Sequence, residues 1–122
     1  MKNKFDPFHN SIILEYQTNK TLDFHKNLSK NNSIIIINCN NLNIYLESTI
    51  NKIIIRKCSN IKIYSYKLIS GLDILWSNQI IINSQFNLNS VSLTRSSVKL
   101  YISNTYTPFI LTDSYSSYQL IN

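Results

Sequence analysis

The chain has 122 residues, 43% hydrophobic and 15% charged, which excludes a disordered polyelectrolyte and suits one domain with a buried core. A formal net charge of +6 favours acidic partners, and a single glycine with two prolines excludes collagen-like or flexible-linker character. The longest unbroken apolar run, Ile34 to Ile37, is far short of the roughly 20 residues that span a bilayer, and the polar start Met1-Lys2-Asn3-Lys4 leads into no apolar signal segment. A soluble, cytoplasmic protein without membrane association is expected.

In chain order, residues 1–32 read as an irregular first turn and N-terminal cap, in which Ile12/Leu14 and Leu22/Phe24 alternate as strands do. Regular coils are expected over 33–122. There Cys39-Asn40-Asn41-Leu42-Asn43-Ile44-Tyr45 returns nineteen residues later as Cys58-Ser59-Asn60-Ile61-Lys62-Ile63-Tyr64. A fixed period of this size marks a repeat architecture. One apolar ladder runs Ile34/Ile36, Ile53/Ile55, Leu72/Ile74, Val91/Leu93 and Phe109/Leu111, and a second runs Leu42/Ile44, Ile61/Ile63, Ile80/Ile82, Val98/Leu100 and Tyr118/Leu120. A thinner third wall is Ile50, Ile69, Leu88 and Tyr106, and a small-residue column, Cys39, Cys58, Ser77, Ser96 and Ser114, separates the first two walls.

Ile, Tyr, Ser, Thr and Asn dominate while Ala and Glu are scarce, so the local preference is for strand over helix. A single short unit cannot bury its apolar side, so the units must stack in register as a β-solenoid of about five to six coils. Cys39 and Cys58, stacked about 4.8 Å apart, read as reduced core residues ahead of a disulfide. His9 and His25 have no ligand spacing with them, so neither a metal nor a cofactor is expected.

The coil Ile34-Ile35-Ile36-Ile37-Asn38-Cys39, the segment Asn51-Lys52-Ile53-Ile54-Ile55-Arg56-Lys57-Cys58, and the run from Ile80-Ile81-Ile82-Asn83 through Val91-Ser92-Leu93-Thr94 to Lys99-Leu100-Tyr101-Ile102-Ser103 carry a family likeness. Over Ser33 to Asn122 the chain resembles the C-terminal domain of adenylyl cyclase-associated protein, of the superfamily shared with tubulin-folding cofactor C. The resemblance implies an all-β, right-handed parallel β-helix. It also implies a non-enzymatic module that binds monomeric actin and speeds nucleotide exchange on it. The family domain continues into a C-terminal extension used in dimer formation and actin contact, whereas this sequence stops at Leu120-Ile121-Asn122. The cofactor C relatives use a Gln-x-Arg strand motif against GTPases, and neither Arg56 nor Arg95 has that Gln two residues before it.

Outward positions on the second wall form a tyrosine row edged with lysines, and Tyr45, Lys62, Tyr64, Lys99 and Tyr101 are the candidate partner-binding face. Such a face can stack rings and neutralise acid, but cross-strand tyrosines also stabilise neighbouring strands. Because the basic residues are spread along the chain, an acidic protein surface is favoured over nucleic acid or carbohydrate. On the first wall Ile35, Ile37, Ile54, Leu75 and Trp76 are apolar where polar residues belong, which predicts a homodimer face or a cover supplied by the segment carrying Phe5 and Phe8. Only six carboxylates are present, and Asp73 and Asp113 occupy different columns of the coil, so no catalytic residues are assigned. A rigid structural or assembly block, cellular or viral, is the alternative function, and the heavy use of Asn and Ile fits an AT-rich genome.

Overall fold

The computed structural model describes residues 2–6, 10–24, 28–86, 88–102 and 107–121. Its strands are β1 (Lys2–Asp6), β2 (Ser11–Glu15), β3 (Thr18–Phe24), β4 (Ser33–Ile37), β5 (Asn40–Leu46), β6 (Thr49–Arg56), β7 (Ser59–Ser65), β8 (Lys67–Leu75), β9 (Asn78–Ser84), β10 (Ser90–Thr94), β11 (Ser97–Tyr101), β12 (Phe109–Thr112) and β13 (Ser117–Ile121). No helix occurs among the described residues. From β2 onward the chain alternates between two sheets, ordered β1-β2-β4-β6-β8-β10-β12 (sheet A) and β13-β11-β9-β7-β5-β3 (sheet B). Each pair from β2/β3 to β12/β13 is therefore one coil, and the coils stack through parallel ladders into the β-solenoid that the nineteen-residue period predicts.

The side-chain period of two places the apolar ladders inside. Ile34, Ile53, Leu72 and Val91 are register partners in sheet A, as are Leu42, Ile61, Ile80 and Val98 in sheet B, and all are buried. In the first turn Ile12 and Leu14 join the Ile34 and Ile36 columns, with Leu14 fully buried. Leu22 and Phe24 are register partners of Ile44 and Leu46, and Lys20 meets Leu42.

Three positions differ from the expected phase. In the last coil Val91 pairs with Ile110, so Ile110 packs on the core while Phe109 and Leu111 face out, 69% and 61% exposed. The partner of Ile50 is the buried Leu68, and Ile69 is exposed. A register shift between Ile50 and Lys52 folds the expected third wall into sheet A as the leading ends of β6 and β8; Tyr106 lies outside the described residues. The small-residue column ends on Ser116, whose Oγ accepts the Ser96 N–H at 3.0 Å, while Ser114 is exposed.

That column is a hydrogen-bond ladder running up the corner from sheet A to sheet B. The backbone N–H groups of Gln17, Cys39, Cys58 and Ser77 donate to the side chains of Cys39 (3.4 Å), Cys58 (3.4 Å), Ser77 (3.1 Å) and Ser96 (3.1 Å) one coil on. Each of those side chains donates in turn to the carbonyl two residues before it: Ile37 (3.3 Å), Arg56 (3.2 Å), Leu75 (2.9 Å) and Thr94 (2.8 Å). A small residue with one donor and one acceptor atom is what the position demands, which is why Cys and Ser interchange there. Both cysteines are free and buried. The Cys58 thiol is pushed up from its ordinary range by its side-chain hydrogen bond with the Cys39 thiol and by burial.

Two columns of non-glycine residues with positive φ flank the ladder. Tyr16, Asn38, Lys57, Trp76 and Arg95, at φ 45–54°, precede it; Asn19, Asn41, Asn60 and Gln79, at 55–57°, follow it. The single glycine serves a different purpose. Gly71, at φ 123°, is buried opposite Lys52 just past the register shift, where a Cβ would stand 2.3 Å from the Ser90 carbonyl oxygen.

Candidate functional site

Sheet B presents two outward columns: Thr21, Asn43, Lys62, Ile81, Lys99 and Gln119 in one, and Asp23, Tyr45, Tyr64, Asn83, Tyr101 and Ile121 in the other. Tyr45 and Tyr64 stack with ring centroids 4.7 Å apart and planes 2° from parallel. Asn83 separates this pair from Tyr101, and Ile81 separates Lys62 from Lys99. The expected row is thus a stacked pair plus an isolated ring, with lysines two residues before Tyr64 and Tyr101 and Asn43 in that place before Tyr45. A cleft of about 630 Å³ opens beside the pair, bounded by Asp23, Glu47, Tyr66 and Gln85. This face offers aromatic surface, hydroxyls and both signs of charge.

Sheet A carries the apolar outward positions. Ile13, Ile35 and Ile54 form one column that Asp73 interrupts, and Glu15, Ile37, Arg56 and Leu75 form the next. Ile35, Ile37, Ile54 and Leu75 are half-buried, and Asp73 is held by Lys52 at 2.9 Å. The expected fold-back of the N-terminal segment does not occur through β1, which pairs antiparallel with β2 and extends the sheet sideways; Phe8 lies outside the described residues.

Trp76 stands apart from that face. It lies past the end of β8, at the bend, and projects from the corner 50% exposed. Lys57 and Arg95 occupy the same corner position in the coils on either side, and both are exposed. The Arg95 guanidinium lies 4.6 Å from the ring centroid of Tyr115, a residue of the last coil that is 72% exposed. Asp113 fastens this arrangement: its carboxylate accepts the Arg95 N–H (2.9 Å), the Tyr115 N–H (3.2 Å) and the Ser116 hydroxyl (2.6 Å). The Ser116 hydrogen bond, followed by those backbone donors, holds its carboxyl below the ordinary range. Trp76, Asn78, Arg95, Ser97 and Tyr115 line a hollow of about 360 Å³. Outward strand positions alone do not reveal this corner. Its sequence signal is the nineteen-residue series Asn38, Lys57, Trp76, Arg95, each residue directly before the small-residue column.

Among the described residues no three His, Cys, Asp or Glu side chains gather as a metal site, and His9 and His25 lie outside them. Asp73 sits on the face of sheet A and Asp113 at the corner, so the two share no site. Among the described residues no helix is long and apolar enough to cross a membrane.

The family model for the adenylate cyclase associated (CAP) C terminal domain matches residues 2–122. Among solved structures the chain is similar to cyclase-associated protein from Cryptosporidium parvum, with a TM-score of 0.85 at 21% identity, over 98% of this chain and 78% of that one. At that identity the likeness speaks for the fold. No curated protein sequence matches the chain.

Proposed function

Because the chain belongs to the adenylate cyclase-associated protein C-terminal family, we propose that it is a non-enzymatic protein-binding module of the cytoplasm whose partner is monomeric actin. The observation that carries this reading is the family match across residues 2–122, since the likeness implies actin binding and faster nucleotide exchange on actin without covalent chemistry. The physical character of the domain supports it. Stacked coils hold every outward side chain on a rigid backbone, and a net charge of +6 draws in an acidic protein. Tyr45, Lys62, Tyr64, Lys99 and Tyr101 on sheet B supply a contact face, and Ile35, Ile37, Ile54 and Leu75 on sheet A supply the face of a homodimer.

Fluorescent monomeric actin tests the reading directly. Binding, together with faster release of a labelled nucleotide from actin, is the expected result. Neither effect at tens of micromolar protein would remove actin as the partner.

A further inference from the structure

The corner column shows a departure from local preference that nothing in the fold requires. Left-handed backbone is disfavoured for residues with a Cβ, and asparagine is among the side chains that tolerate it best. The chain obeys that preference in the column after the ladder, where Asn19, Asn41 and Asn60 precede Gln79. In the column before the ladder it uses asparagine at Asn38 and then Lys57, Trp76 and Arg95 in three successive coils, at φ 54°, 47° and 45°. Their N–H groups are engaged whatever the side chain: Lys57 donates to Leu75 O (3.0 Å), Trp76 to Thr94 O (2.8 Å) and Arg95 to the Asp113 carboxylate (2.9 Å). All three side chains are exposed, so core packing does not explain them either.

Trp, Tyr and Arg are the residues that dominate binding energy at protein interfaces. Here Trp76 stands between two cations at the spacing of stacked coils, about 4.8 Å to each side, with Arg56 exposed beside Lys57 and Tyr115 beneath Arg95. The guanidinium of the exposed Arg95, 4.6 Å from the Tyr115 ring centroid, is a planar donor fork suited to a carboxylate. Asp113 is the carboxylate beside them, and its bonds go to backbone N–H groups and to Ser116. We propose that the corner ridge of Lys57, Trp76 and Arg95, backed by Tyr115, docks an acidic segment of the partner protein, with carboxylates on the cations and an apolar side chain over Trp76. The ridge rests on the actin reading for the identity of that partner, and on its own charge and aromatic character for the chemistry.

The double variant Trp76→Asn/Arg95→Asn separates binding from folding, because asparagine suits the backbone better than the residues it replaces. Its thermal midpoint should equal or exceed that of the wild type while its affinity for monomeric actin falls by about tenfold or more. Lys67→Ala, which removes an exposed cation at the start of β8, serves as the comparison and should leave affinity within about threefold. If the corner variant binds actin as the wild type does, the ridge is wrong and the actin reading survives. If the wild type does not bind actin, the actin reading fails and poly-L-glutamate decides the ridge through the emission of Trp76, the only tryptophan. A saturating, salt-sensitive change in wild-type emission that Arg95→Asn abolishes upholds it; an unchanged emission overturns it.

Discussion

Gly71→Ala should be among the most damaging single-methyl changes available to this protein. The added Cβ would lie 2.3 Å from the Ser90 carbonyl oxygen, 2.7 Å from Ser90 Oγ and 3.1 Å from the Ser90 carbonyl carbon. Rotating the Ser90 side chain away relieves one of these contacts, but the other two are backbone of the next coil, locked by the β8–β10 ladder. Separating them means moving one coil against another. Two effects add: an L-residue held at φ 123°, roughly 1–3 kcal/mol, and overpacking against fixed neighbours, roughly 1–3 kcal/mol. The expected loss is therefore about 2–6 kcal/mol, a large share of the stability of a domain this size. With an unfolding entropy near 2.1 cal/mol/K per residue, the midpoint should fall by about 8–23 °C. Thermal and urea unfolding followed by circular dichroism measure it, and Ser90→Gly should not rescue the variant because the carbonyl oxygen remains. A midpoint within about 4 °C of wild type would show that the coils slide past one another easily and that their stacking is not the rigid constraint described above.

Cys58→Ser should change stability by less than about 1 kcal/mol, because a hydroxyl fills the same ladder role in Ser77 and Ser96. Cys58→Ala strands the buried Cys39 N–H and should cost about 1–3 kcal/mol in the same urea titration; equal losses for both variants would refute the ladder. The Asp113 carboxyl is held below its ordinary range, so its contribution is complete above that range and lost as pH falls through the depressed value. Asp113→Asn should accordingly lower the midpoint at neutral pH, and the gap to wild type should close as acid protonates the carboxylate below its ordinary range; a gap independent of pH argues against the carboxylate. Light scattering should find a homodimer that Ile54→Glu on sheet A converts to monomer, and a wild type that stays monomeric at every concentration defeats that face.

The regular coils were legible because each burial column demands the same residue type at the same step. Ile34, Ile53, Leu72 and Val91 announce themselves in this way, and so do Leu42, Ile61 and Ile80. Legibility failed where one residue is gained between columns. From Val91 the step to Ile110 is nineteen, but from Ser96 to Ser116 and from Val98 to Tyr118 it is twenty, so the last coil has different phases at its two ends. Phe109 and Leu111 looked more like core than Ile110 and Thr112, and hydrophobicity alone chose the wrong parity. Ile69 drew the third wall away from Leu68 for a related reason: the register shift at Ile50 and Lys52 breaks the alternation on which strand reading depends. The corner ridge was hidden more deeply. Its backbone is defined by φ rather than by burial, and no apolar pattern reports a left-handed residue when the side chain is Lys, Trp or Arg.

The ladder of small residues also bears on how such a chain can change its length over generations. Cys39, Cys58, Ser77 and Ser96 are interchangeable rungs, so excising one whole unit, such as residues 59–77, leaves the coils below and above able to close on each other in phase. Losing or gaining a single residue inside a strand would turn the remainder of that strand inside out. Length in this architecture is consequently inherited in steps of one storey. Duplication within the gene supplies new storeys ready to fold, and the corner positions, which the core does not constrain, are free to diverge in each copy.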